Sequence, residues 1–140
     1  MLAVAWGVAV AALLFGAVLG ARALIDPKWA ARFVRLTPDE QGGGFAEFRA
    51  TYGGVFLGLH AVALMLSLRY LLSGEHVVGV AATGALAVLA AGWAGAACGR
   101  FVSILRDEGA DTRFNRISIG VESACAFAIG GPWVLWMFGG

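Results

Sequence analysis

The chain has 140 residues, 60% of them hydrophobic and 14% charged, with a mean hydropathy of +0.81. A water-soluble domain carries about a quarter charged residues to coat its core, so this composition excludes a soluble globular protein and makes lipid the solvent for most of the surface. The net charge of +1 leaves no basic stripe of the kind nucleic acid requires, which removes that class of partner.

Four runs with few or no charges follow in chain order: Leu2 to Ala21, Ala50 to Leu68, Val77 to Gly99 and Ile117 to Phe138. Each is long enough to cross a hydrocarbon layer about 30 Å thick at about 1.5 Å per helical residue. The expected fold is all-α, a polytopic membrane protein with one four-transmembrane-helix bundle over residues 1–140. Its spans lie near 2–24, 48–72, 77–104 and 115–138, with a short amphipathic cytoplasmic helix between the first two. Gly20-Ala21-Arg22-Ala23 resembles a signal-peptide cleavage site. The opening Met1-Leu2-Ala3-Val4 has no basic segment, however, and the apolar run exceeds a signal core, so this run reads as a retained anchor.

After the first span, Asp26-Pro27 forms an N-cap and first-turn pair. Trp29, Phe33 and Leu36 recur on one side, and Lys28, Arg32 and Arg35 on the other. This pattern predicts a basic amphipathic helix lying on a leaflet, read either as a lid over a pocket or as a membrane-hugging connector. Thr37-Pro38-Asp39-Glu40 has the form of a capping box, and Gly42-Gly43-Gly44 predicts a hinge before the second span.

Basic residues crowd two connections. Arg22, Lys28, Arg32, Arg35 and Arg49 precede or open the second span; Arg100, Arg106, Arg113 and Arg116 join the third and fourth; the connection between spans two and three holds only Arg69. The positive-inside rule then places the first and third connections in the cytoplasm and both chain ends on the opposite side. Trp6, Trp133 and Trp136 are expected at that outer interface as an aromatic belt. The small-residue pairs Gly16/Gly20, Gly54/Gly58 and Gly95/Gly99 permit close helix approach, within the chain or between copies in a homo-oligomer. Gly130-Gly131-Pro132 removes a backbone donor and predicts a kink in the last span.

Ionisable residues inside spans mark candidate sites, because each must be paired or face a cavity. Glu47, Arg49 and Tyr52 open the second span, with Arg49, Gly53, Phe56 and His60 on one expected stripe. Arg100, Ser103 and Asp107 close the third span, and Ser118, Glu122 and Cys125 share a face of the fourth. Glu122 lies about 8 Å inside the boundary by helical rise, a depth that calls for a cationic partner, Arg100 or Arg49. The cluster Glu47, Arg49, Tyr52, Arg100, Ser103 and Glu122 reads either as a polar vestibule for a lipid head group, small molecule or proton, or as a clamp that fixes helix register. His60, near mid-membrane, is a candidate proton or cofactor site. Structural hydrogen bonding is its leading reading and haem or chlorophyll ligation a lesser one. Cys98 and Cys125 show neither zinc spacing nor a disulfide framework and read as buried small residues. No phosphate-cradling glycine loop, paired metal-ligand spacing or serine elbow is present, so no catalytic residue and no metal ligand is assigned.

Glu47-Phe48-Arg49-Ala50-Thr51-Tyr52-Gly53-Gly54 leading to Gly58, Gly99-Arg100-Phe101-Val102-Ser103 followed by Asp107 to Gly109, and Glu122 together resemble a family of small four-helix bacterial membrane proteins, loosely DoxX-like, to which no activity is attached. In that family the third-span motif often ends in adjacent Asp-Gly, whereas Glu108 intervenes here. The resemblance implies the four-helix fold, a bacterial inner membrane and the importance of Glu47, Arg49, Arg100 and Glu122. The leading functional expectation is a non-enzymatic inner-membrane protein, either an accessory subunit of a larger membrane complex or a module binding lipid or a small hydrophobic ligand. Two alternatives are a proton-coupled transporter or channel-like oligomer using Glu122 and His60, and a membrane-embedded isomerase acting on a lipid or isoprenoid.

Overall fold

A computed structural model describes residues 2–37 and 43–139. The described residues are all-helical, with no strand: α1 Leu2–Ile25, α2 Pro27–Val34, α3 Gly44–Glu47, a π-helical segment Phe48–Val55, α4 Phe56–Ser73, α5 His76–Arg106 and α6 Arg113–Phe138. The segment Gly44–Ser73 runs as one span, so four helices are long and apolar enough to cross a membrane. At most 28% of the most apolar window of any span is buried. The remaining apolar surface needs a non-aqueous solvent, as in a multi-pass membrane protein. The chain divides into two compact units, Leu13–Met65 and Met1–Ala12 with Leu66–Gly140.

In the Leu13–Met65 unit, Asp26 ends one helix and starts the next. Its backbone N–H donates to the Arg22 carbonyl at 2.8 Å, and its Oδ1 accepts from the Trp29 N–H at 3.0 Å. Pro27 occupies the first turn, where a missing N–H costs nothing. Helix α2 closes at Arg35, the one non-glycine residue with positive φ among the described residues (φ 60°). The Arg35 N–H donates to the Arg32 carbonyl and the Leu36 N–H to the Ala31 carbonyl, at 3.3 and 3.0 Å. These paired bonds form a Schellman closure with arginine at the position glycine usually takes. The capping box and the start of the glycine hinge fall on residues 38–42, outside the described residues.

Two small-residue positions on α1 set the packing of this unit. A Cβ on Gly16 would lie 2.2 Å from His60 Cδ2, and one on Gly20 would lie 2.6 Å from the Leu57 nitrogen. On the opposing segment it is Gly53 that meets α1, its added Cβ falling 2.7 Å from Leu24 Cα. The expected Gly54/Gly58 pair does not do this: Gly58 has open space, and Gly54 meets only its own helix. The expected stripe Arg49–Gly53–Phe56–His60 is likewise corrected. Gly53 and His60 are buried while Arg49 is exposed, because the π segment closes wider turns and advances its side chains by a smaller angle per residue than the α winding assumed.

In the other unit, α5 and α6 pack together with Gly130 admitting the Ala90 methyl (3.2 Å to an added Cβ), and Leu86 and Ile129 are both fully buried. Trp6 is 1% exposed and packs on Tyr70 (ring centroids 4.8 Å), and Tyr70 in turn meets Trp136 and the backbone of Gly79. Trp6 is therefore an interior residue and not a belt residue; Trp133 remains exposed. Helix α6 runs unbroken through the buried Pro132. Gly95 and Gly99 meet no other group within 4 Å. Cys125 is buried as expected, but Cys98 is exposed.

Candidate functional site

The polar network of the α5–α6 unit begins with local capping. Thr112 Oγ1 accepts the Asn115 N–H at 3.2 Å and starts α6, and the Asn115 amide donates to the Ala110 carbonyl at 2.8 Å. The connection before α6 is thereby folded onto the helix start, turning at Gly109 (φ 76°). Asn115 Oδ1 then accepts a 3.4 Å contact from Arg100 Nη1. Arg100 Nε donates to Glu122 Oε1 at 2.7 Å across the two helices.

Of the two cations considered for Glu122, Arg100 is thus a partner. The Glu122 side chain is 10% exposed and that of Arg100 32% exposed, so the acid is desolvated while the guanidinium keeps access to the surroundings. A half-buried arginine of this kind satisfies an inner carboxylate without both charges bearing full desolvation. Glu122 Oε2 is buried and has no hydrogen-bond partner among the described residues, so its lone pairs can accept one further bond. Ser103 is half-buried on α5, and Asp107 is exposed at the end of that helix. Outside the network, Arg116 binds Asp111 through both carboxylate oxygens, at 2.6 and 2.5 Å. Those bonds hold the Asp111 carboxyl below its ordinary range.

The remaining predicted residues belong to the Leu13–Met65 unit. Glu47, Arg49 and Tyr52 are exposed, Tyr52 at 39% with its ring stacked on Phe48. His60 is fully buried; its Nδ1 lies 2.7 Å from the Phe56 carbonyl, an acceptor that requires Nδ1 to carry the proton. A Cβ on Gly16 would lie 2.3 Å from His60 Nε2. The α1 backbone therefore crowds the nitrogen that a haem or chlorophyll metal would need, and the geometry is that of a packed, hydrogen-bonded histidine.

The same unit holds a feature that periodicity foresaw in part. A cleft of about 440 Å³ is lined by Lys28, Ala31, Arg32, Arg35, Leu36, Thr37 and Phe45. Three of these residues are the cations of the α2 stripe, and α3 adds Phe45. Arg22 lies over the Trp29 ring, 4.5 Å from its centroid, a cation–π contact that ties α2 to the end of α1. Sequence reasoning missed Phe45, Asn115 and Thr112. The Thr112-x-x-Asn115 capping pattern was a usable signal for the last two; nothing local marked Phe45.

Among the described residues no group of three or more His, Cys, Asp or Glu side chains converges as a metal site. Comparison with protein-family profiles, with characterised proteins and with solved structures finds no match for this chain.

Proposed function

We propose that this protein is a lipid-binding module of a bacterial inner membrane, with both chain ends outside and α2 on the cytoplasmic leaflet. The carrying observation is the division of α2 into three faces. Pro27, Ala30 and Ala31 are buried; Lys28, Arg32 and Arg35 are exposed; Phe33 is exposed, as is Leu36 just beyond the helix. An aqueous surface has no use for exposed Phe33 and Leu36 beside three cations. The boundary of an anionic leaflet has a use for both, taking the apolar groups into its acyl edge and the cations to its phosphates. The excess of basic residues in the first and third connections supports the same orientation. The motif likeness to small DoxX-like bacterial proteins supports the choice of membrane.

Each basic residue at an anionic surface contributes about 1 kcal/mol. Three of them therefore shift the preference for anionic over neutral lipid by roughly a hundredfold at low salt. The test is the composition of lipid co-purified in native-membrane discs. The wild-type chain is expected to be enriched in anionic phospholipid over the bulk membrane, and the triple variant Lys28→Gln, Arg32→Gln, Arg35→Gln to match the bulk. Equal composition for the two chains would refute the proposal.

A further inference from the structure

The charge pair between α5 and α6 is only half made. Arginine and carboxylate frequently meet through two parallel bonds, one to each oxygen. Here Arg100 Nε donates to Glu122 Oε1 at 2.7 Å and Nη1 reaches Asn115 Oδ1 at 3.4 Å, while Nη2 makes no hydrogen bond among the described residues. Glu122 Oε2 has no partner there either, on a side chain only 10% exposed. A buried carboxylate oxygen left bare carries the whole cost of its lost hydration, so a donor is called for at that atom. The other polar groups of the α5–α6 network are engaged elsewhere: the Asn115 amide donates to the Ala110 carbonyl, and Arg116 binds Asp111. Both helices and their connection are described without a gap. The accessible member of the pair is Arg100, its side chain 32% exposed. Phe101 and Val102 beside it on α5, and Val121 beside Glu122 on α6, are exposed apolar residues.

We propose that the Arg100–Glu122 pair is a binding site for the free hydroxyl of a neutral lipid alcohol of the diacylglycerol type. A hydroxyl both donates and accepts, so one such group gives its proton to Glu122 Oε2 and takes the Arg100 Nη2 proton on its own oxygen. The pair is neutral as a whole. An anionic head group would meet the bare carboxylate oxygen and an ammonium head group the guanidinium, so the chemistry selects an uncharged one. Arg100 is held by one short bond and one long one, and its head can shift to let a hydroxyl reach the buried oxygen. The acyl chains then lie along Phe101, Val102 and Val121. This site belongs to the α5–α6 unit and stands whether or not α2 gathers anionic lipid.

The experiment places the full-length chain in nanodiscs of phosphatidylcholine alone, adds dioctanoylglycerol in steps, and counts the molecules retained per chain by native mass spectrometry. One per wild-type chain is expected, with saturation. The same glyceride with its hydroxyl acetylated should be retained about tenfold more weakly, the factor that one hydrogen bond to a charged group carries. The double variant Arg100→Met, Glu122→Met, which removes both charges together and keeps the helices packed, should retain the free alcohol no better than the wild type retains the acetylated form. Infrared spectroscopy reads the site in the wild type itself: the free alcohol, and not the acetylated one, should shift a carboxylate band that is missing from Glu122→Gln. Equal retention of the free and acetylated glycerides would overturn the proposal, as would a double variant that retains the alcohol like the wild type. So would a Glu122 band that lies at its hydrogen-bonded position before any alcohol is added and does not move afterwards, since water or another part of the chain would then be the donor to Oε2. Discs of phosphatidylcholine alone do not measure anionic enrichment, so this site and the lipid preference of α2 fail separately.

Discussion

The two compact units share close approach at glycines but differ in whether a charge pair joins their helices. In the Leu13–Met65 unit, Gly16, Gly20 and Gly53 bring backbone against His60, Leu57 and Leu24, so the contact depends on side chains being absent. In the α5–α6 unit, Gly79 and Gly130 also admit Tyr70 and Ala90, but there Arg100 of α5 joins Glu122 of α6 as well, so the contact depends in addition on a matched pair of side chains. In lipid the first kind is held by close van der Waals approach. The second adds a charge pair that cannot easily lose one member. Both units should therefore be intolerant of added volume at their close glycines, and the second of lost charge as well.

The largest expected effect tests the second half of that contrast. Arg100→Met leaves Glu122 without the one cation bonded to it among the described residues and should cost about 3 kcal/mol, the low end for a broken buried pair because the arginine is partly exposed. The double variant Arg100→Met, Glu122→Met should recover most of the loss. Reversible unfolding in bicelles measures both, and a double variant no more stable than the single one would show that the pair contributes more than mutual neutralisation. Next comes Gly16→Leu, whose side chain must displace the His60 ring; about 2 kcal/mol is expected for such overpacking. Gly58→Leu, into open space, serves as the control and should change little. If the two glycine variants unfold alike, the close contact at Gly16 is not what holds that seam.

Smaller effects probe the ends of the helices. Asp26→Ala removes the cap on the Trp29 amide and should destabilise α2 by about 1 kcal/mol, seen as faster hydrogen exchange at Trp29 with α5 and α6 unchanged. The smallest effect concerns Asp111. Arg116 holds its folded carboxyl below the ordinary value of 3.8, so the pair's contribution is complete above that pH and is lost as pH falls through the lower, folded value. An NMR titration of the Asp111 carboxyl should give a midpoint below 3.8, and Arg116→Gln should return it there. Asp111→Asn should remove this component of the acid sensitivity.

Much of this was legible in the chain order. Composition and the four apolar runs determined an all-helical, membrane-spanning fold, because each run must satisfy its own backbone in lipid and only a helix can do so. Asp26-Pro27 announced α2, since a cap acts on donors two and three residues away. The depth of Glu122 announced a cation, because an isolated carboxylate there is too costly to leave alone. What sequence could not show depended on winding and on neighbours distant in the chain. The π turn through Phe48–Val55 altered which residues share a face and left Arg49 exposed beside a buried Gly53. Helix contact selected Gly53 over Gly54 and Gly58, and moved Trp6 from an expected belt into contact with Tyr70. Asn115 joined Arg100 only through the folded connection before α6, and Phe45 joined the α2 cations only because α3 returns beside them. Local chemistry sets helices, caps and the need for a partner; the partner itself is chosen by packing, which no single stretch of sequence contains.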